Sequence, residues 1–205
     1  MSSSKKPLSE SLPRRRLTRE DRHRQLLDVA WQLVREEGTD ALTLGRLAEQ
    51  AGVTKPVVYD HFTTRPGLLG ALYQDYDLRQ TALMDAALQA SEQTLAGFAG
   101  VIASAYVRCV LQQGREIPGV IAALASSPEL EQIKRDYEVI FLEKCRSVLA
   151  PFSRAGVIGT AGLRAMLGAA EALSHAAALG EISPGQAQDE LFETIVAMVE
   201  RSARH

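Results

Sequence analysis

A single period runs through this sequence. From Leu26 onward apolar residues return every three or four positions, and no segment sustains the period-two alternation of a half-buried strand. In the first such stretch Leu26, Leu27, Ala30, Trp31, Leu33 and Val34 fall on one side of a helix. The spacing returns in Leu68, Leu69, Leu72, Tyr73, Tyr76, Leu83 and Leu88. A chain so patterned buries its apolar surface by packing helix on helix, which restricts it to an all-α fold.

The helix ends are marked. Thr18 is placed to cap a first helix, with Glu20 and Asp21 in the first turn, where the helix dipole favours anions, and Gly38 stops it. Thr43 caps a second, short helix with Leu44, Leu47 and Ala48 inward. Ala51-Gly52-Val53 form a tight turn. Thr54 caps a third helix with Pro56 in its first turn, where proline is tolerated, and Thr64 caps a fourth that begins Arg65-Pro66. Further helices are expected at about 92–113, ending at Gly114; near 118–126; and at 128–150, capped by Ser127. The last two are expected at 160–179, ended by Gly180, and at 184–202, started by Ser183-Pro184. Residues 1–17, rich in Ser, Pro, Lys and Arg, read as a disordered basic arm. The expected organisation is this arm, a small unit over 18–64 and a larger helical bundle over 65–205.

The stretch 52–62, GVTKPVVYDHF, needs a reason to exist. Helices shorter than about 12–15 residues are marginal alone in water. Two short helices joined by a glycine-containing turn, behind a longer supporting helix, form a helix-turn-helix pattern. There the second short helix enters the DNA major groove and its first residues reach base edges. Val53, Val58 and Phe62 can anchor such a helix, leaving Lys55, Val57, Tyr59 and His61 outward. Thr54 can meet a phosphate at the helix start. Lys55 can reach a phosphate or a guanine edge, and Val57 a thymine methyl. Tyr59 can bond a phosphate or stack, and His61 can donate to a phosphate. Thr43, Arg46, Thr64 and Arg65 are placed as flanking backbone clamps. Arg14, Arg15 and Arg16 of the arm can follow the phosphates or enter the minor groove. A helical subdomain with an incidentally polar surface would show the same spacing.

Charge supports a polyanion at one end. The net charge is −2, yet residues 1–65 carry 12 Lys/Arg against 9 Asp/Glu and residues 66–205 carry 11 against 16. No apolar run approaches the roughly 20 residues of a membrane span, and the N-terminus has no apolar signal core. Cys109 and Cys145 lack metal-ligand spacing and fit a reducing cytoplasm as small buried hydrophobes. No Gly-rich phosphate loop, metal-spaced cluster or nucleophile elbow speaks for an enzyme, and no cofactor or metal is implied.

Residues 22–72 resemble the N-terminal domain of TetR-family transcriptional regulators. The marks are Ala30 with the aromatic Trp31, Gly38, Thr43, Leu47-Ala48, Ala51-Gly52-Val53-Thr54, Tyr59, His61-Phe62 and Leu68-Leu69. Three positions depart from the pattern: Pro56 where a small residue is usual, Gly45 inside a helix, and Thr63 where a basic residue is frequent. The resemblance implies a homodimer on a pseudo-palindromic double-stranded operator. It also implies a C-terminal helical domain that dimerises and binds a small-molecule effector, most simply as a repressor released by that effector. A DNA-binding assembly or chromosome-organisation protein without ligand sensing is the alternative.

In the bundle, candidate pocket residues are Tyr73, Tyr76, Tyr106, Arg108, Cys109, Tyr137, Phe141, Glu171 and His175. Glu171 and His175, at i and i+4, share a face that suits a pocket wall, a metal site or a dimer seam. The expected dimer seam is formed by Leu163, Met166, Leu167, Ala170, Leu173 and Ala177 with Leu191, Ile195 and Met198. An ordinary intrachain core would show the same pattern.

Overall fold

The computed structural model describes residues 17–116, 118–124 and 128–202. It is all-α: among the described residues there are nine α-helices and no strand. They are α1 (Arg19–Glu37), α2 (Leu44–Ala51), α3 (Lys55–Phe62), α4 (Arg65–Ala90), α5 (Leu95–Glu116), α6 (Pro118–Leu124), α7 (Pro128–Leu149), α8 (Thr160–Leu179) and α9 (Pro184–Arg201). A 3-10 turn, Ala150–Phe152, follows α7.

The caps explain the boundaries. Thr18, Thr43, Thr64 and Ser183 each accept a hydrogen bond from the backbone N–H three residues on, and Gln186 completes a capping box with Ser183. Gly52 and Gly180 end α2 and α8 in the left-handed conformation that costs glycine no Cβ clash. One expected stop failed. The helix begins at Leu95, with Thr94 Oγ1 accepting from Gly97 N, and runs through Gly114 to Glu116. A glycine inside a helix is a penalty of about 1 kcal/mol, not a terminator.

Two cores result. The first gathers Leu26, Ala30, Leu33, Leu47, Val58, Leu68 and Leu72 from α1–α4 with Leu42 of the α1–α2 loop, and Val120 of α6 closes it. Trp31 donates Nε1–H to Asp75 at 2.7 Å, while Arg79 lies 4.9 Å from the Trp31 ring and 3.0 Å from the same carboxylate. The second gathers Ala99, Ile102, Val107, Cys145, Leu149, Leu163, Leu191 and Ile195 from α5 and α7–α9. The 26 residues of α4, about 39 Å at 1.5 Å per residue, run from the first core into the bundle. Tyr76 on α4 donates its hydroxyl to Cys109 O of α5 at 2.9 Å.

The expected dimer seam is corrected here. Leu163, Met166, Leu167, Ala170, Ala177, Leu191, Ile195 and Met198 are buried inside the single chain, and Leu173 is half-buried. These faces of α8 and α9 close on α5, so they are this chain's own core. The outer side of α8 instead carries a run of exposed residues at helical spacing: Ala161, Ala165, Gly168, Ala172 and Leu179. The reading of apolar runs also needs adjustment. Leu95–Gln112 of α5 is long and apolar enough, on length and composition, to cross a membrane. In the fold this helix is packed against α4, α8 and α9.

Candidate nucleic-acid interface and helical cavity

The turn between α2 and α3 is closed by two backbone bonds, Gly52 N to Glu49 O at 3.2 Å and Val53 N to Ala48 O at 3.0 Å. This is the paired-bond helix stop in which a left-handed glycine satisfies the last carbonyls. It turns the chain so that α3 buries Val58 and Phe62 against the first core. Thr54, Lys55, Pro56, Tyr59 and Asp60 are left exposed. Tyr59 is 51% exposed, high for a tyrosine with so much apolar area to hide. Thr54 makes no side-chain cap bond, so its hydroxyl is available at the helix start. Val57 is half-buried at the edge of this face. The methylenes of Lys55 lie over Gly45: a Cβ added there would meet Lys55 Cε at 3.7 Å, an ordinary contact.

The flanking residues divide. Thr43 and Thr64 are exposed caps. Arg46 reaches Glu37 through two nitrogens, at 2.6 and 3.3 Å, joining α2 to the end of α1. The hydrogen bond from Arg46 holds the Glu37 carboxyl below its usual range. Arg65 departs from its expected place. It is half-buried, and its Nε and a terminal nitrogen each donate at 2.9 Å to the carbonyls of Leu42 and Thr39. That fixes the 39–42 loop to the start of α4. His61 is also displaced from the outer face: half-buried, its ring lies 5.5 Å from that of His23. Burial first, then the nearby His23 and Arg19, push its pKa down, so it stands mainly neutral near pH 7. Arg14, Arg15 and Arg16 lie outside the described residues.

The corner after α3 carries a feature that the sequence did not announce. Thr63 has φ 57° and ψ −52°, unusual for a β-branched residue, and Thr64 N reaches back to Phe62 O at 2.5 Å. Gly67 is confined at the same corner, because a Cβ there would run into Phe62 O. On the far side of this unit Gly119 of α6 meets Thr39 so closely that a Cβ would collide with the threonine side chain.

A cavity of about 540 Å³ lies among α4, α5, α7 and α8. Of the expected pocket residues, Tyr73, Tyr106, Cys109, Tyr137, Phe141, Glu171 and His175 line it. Tyr76 does not: it is buried beneath the wall as the α4–α5 tie, and Arg108 is exposed elsewhere on α5. The sequence reading missed Asp77, Gln80, Thr81, Met84, Lys134 and Lys144. The signal for the first four was present, since 77, 80, 81 and 84 follow Tyr73 at helical spacing. Tyr73 packs edge-on to Tyr137 at 5.6 Å, and Tyr106 is tilted on Phe141 at 5.4 Å. Burial raises the pKa of both Tyr73 and Tyr106, so their hydroxyls stay protonated. Burial likewise pushes the Cys109 thiol up to about 11 and the Asp77 carboxyl up to about 6. Lys144 holds both oxygens of Asp85 at 2.6 and 2.7 Å, and Lys134 lies 3.7 Å from both Glu138 and Glu171. No group of three or more metal-ligating side chains occurs among the described residues.

Residues 26–72 match the model of the tetR family of bacterial regulatory proteins. The chain is similar to the HTH-type transcriptional activator FasR of Mycolicibacterium smegmatis, with 36% identity over 70 residues. That match covers 34% of this chain and 32% of FasR, so it spans about a third of that relative. The fold extends further. A TetR transcription regulator from Haloarcula marismortui superposes with a TM-score of 0.70 at 14% identity, over 88% of this chain and 100% of that one. A TetR-family regulator from Rhodococcus sp. gives 0.68 at 19% identity, over 88% and 100%. The helix-turn-helix sequence of residues 26–72 is thus that of the TetR family of bacterial regulatory proteins, and the chain over most of its length has the fold of TetR-family structures.

Proposed function

We propose that this protein is a sequence-specific DNA-binding repressor, released from its operator by a small molecule held among α4, α5, α7 and α8. One observation carries the reading: α4 both supports α3 and lines the cavity. A molecule that favours one placement of α4 therefore bears on the face of Lys55 and Tyr59. It shifts the equilibrium only through unequal affinity for the two placements, and couplings of about 1–3 kcal/mol are usual for such devices. The cavity falls within the few hundred Å³ of ordinary small-molecule sites, which favours sensing over the assembly reading. The family placement points to a cytoplasmic regulator and not an enzyme.

The working unit in this reading is a homodimer, joined across the exposed small-residue side of α8. Its two α3 helices then reach successive major grooves about 34–36 Å apart. The test starts from chromosomal fragments retained by the full chain, followed by footprinting. Two half-sites at that spacing are expected. A single half-site refutes the dimeric reading, and no preference among fragments refutes sequence-specific regulation. Gly168→Glu probes the seam, because nothing lies within 4 Å of a Cβ there in the single chain. A folded monomer with weakened operator binding is expected; an unchanged solution mass removes α8 from the seam.

A further inference from the structure

We propose that the cavity takes an organic cation: an apolar or aromatic body bearing one positive centre, held by Asp77 among the rings of Tyr73, Tyr106 and Tyr137. The inference rests on the effector-site reading and names the chemical class of the occupant.

The charges around the cavity are unevenly satisfied. Both lysines on its wall already have carboxylate partners, Lys144 in Asp85 and Lys134 in Glu138 and Glu171. Glu138 is approached a second time, by Arg164 at 3.3 Å. The Asp77 carboxylate forms no hydrogen bond or ion pair among the described residues. It is half-buried, and Lys144, the nearest cation to act on it, is turned to Asp85. A carboxylate removed from water without a partner is costly, and a ligand cation supplies the partner.

The walls suit the same class. Aromatic faces carry negative potential and attract cations, ammonium and quaternary centres included. Three tyrosines and Phe141 supply such rings, with Met84 and Leu167 as apolar lining. The tyrosine hydroxyls stay protonated and offer oxygen acceptors to an N–H. An anion fares poorly by comparison. To reach either wall lysine it would have to take Lys144 from Asp85, or Lys134 from two glutamates, and it would then sit beside Asp77. A neutral ligand offers Asp77 at most a hydrogen bond and no countercharge.

A series with one chain and three head groups decides. Octyltrimethylammonium, octanol and octanoate are titrated calorimetrically into the full chain at pH 7.5. The ammonium is expected to bind at least about tenfold more tightly than either of the others. Asp77→Asn is expected to weaken the ammonium by about tenfold and leave octanol within about twofold, so octanol reports that the variant's cavity is intact. Wild-type affinity for the ammonium is expected to fall between pH 7 and pH 5, as Asp77 takes up a proton. Octanoate binding as well as the ammonium overturns the proposal. So does an ammonium affinity indifferent to Asp77→Asn, or a failure of all three to bind. The sensing reading fails separately: Asp77-dependent binding that leaves operator affinity unchanged removes release and keeps the ligand class. Release by octanol or octanoate keeps sensing and removes the class.

Discussion

The helix-turn-helix and the bundle hold their polar groups in opposite ways. On α3 the polar side chains face out and most are unengaged: Thr54 without a cap bond, Lys55 along Gly45, Tyr59 half in solvent. In the bundle both lysines of the cavity wall are paired with carboxylates, and Asp77 is the lining carboxylate left without a cation. An exposed face stays unsatisfied at little expense, because water serves it until a phosphate or base replaces the water. A cavity has no such reserve, so its polar groups find one another or shift in pKa. A free polar group therefore means little on α3 and a good deal in the bundle.

The largest effect should come from removing the outer face of α3. Lys55→Ala and Tyr59→Ala are expected to fold normally, since neither side chain belongs to the core. Loss of a base contact is worth roughly 1–3 kcal/mol, or about five- to 150-fold in operator affinity, with relaxed specificity. Loss of a phosphate contact weakens all sequences alike and lowers the salt slope by about 0.9. Fluorescence anisotropy across a salt series separates the two. Wild-type affinity in both variants would mean that α3 does not face DNA.

The corner that sets the tilt of α3 comes next. Gly67→Ala forces a Cβ onto Phe62 O, and Phe62 is a buried anchor of α3. Overpacking of this kind typically destabilises by about 1–3 kcal/mol, or several degrees in melting temperature for a chain this long. Thr63→Gly should act in the opposite sense by relieving the positive φ, at about 1 kcal/mol. Calorimetric melting of both variants checks the pair. A neutral Gly67→Ala would show that the corner yields and that α3 is not rigidly aimed.

Much of this was legible in the sequence, for a local reason. Caps and stops act within one turn of the chain, so Thr18, Thr43, Gly52, Thr64, Gly180 and Ser183 announce helix ends wherever those helices later pack. The exposure of Lys55 and Tyr59 on α3 followed from the same local logic, while His61, also expected outward, is half-buried beside His23. What depends on a distant partner was hidden. The Leu and Met faces of α8 and α9 suit a second copy as well as they suit α5, and the sequence does not say which meets them. Arg65 looked like a phosphate clamp until the 39–42 carbonyls came within 2.9 Å. Asp77 passed unnoticed among many carboxylates, because being unpaired becomes visible only when α4, α5 and α7 are placed.

Asp77 also gives the bundle a stability signature. Its folded pKa is raised to about 6, above the ordinary value near 4, so the fold disfavours the charged form. The penalty is absent below about pH 4, grows as the pH rises, and is complete above about 6. Asp77→Asn is therefore expected to raise the melting temperature at pH 7 and to lose that advantage by pH 4. Solvent screens this half-exposed group, which keeps the gain near 1 kcal/mol, or roughly 2–4 °C. A variant no more stable at pH 7 than at pH 4, relative to the parent, would mean that Asp77 is well solvated and the contrast between the regions is weaker than drawn.

The smallest effect tests whether an already paired group on the DNA side can still work. Arg46 lies on α2, held by Glu37 through two nitrogens. Both side chains are about a third or more exposed, so the bridge adds little to stability, and its meaning lies in competition for DNA phosphate. Arg46 bonding holds the Glu37 carboxyl below its usual range, so the bridge stays charged throughout neutral pH. Glu37→Gln removes the main competitor and one negative charge beside the groove face, leaving the guanidinium in place with Glu49 at 3.8 Å. Stability should be unchanged, and operator affinity should rise by less than about tenfold at low salt. The gain should shrink as salt rises, because it comes from phosphate attraction shared by all sequences. Anisotropy titrations on operator and random duplexes should give the same ratio. An unchanged affinity at every salt would mean that Arg46 is occupied with joining α2 to α1, as Arg65 is with the 39–42 loop, and that the groove face consists of α3 with its two threonine caps.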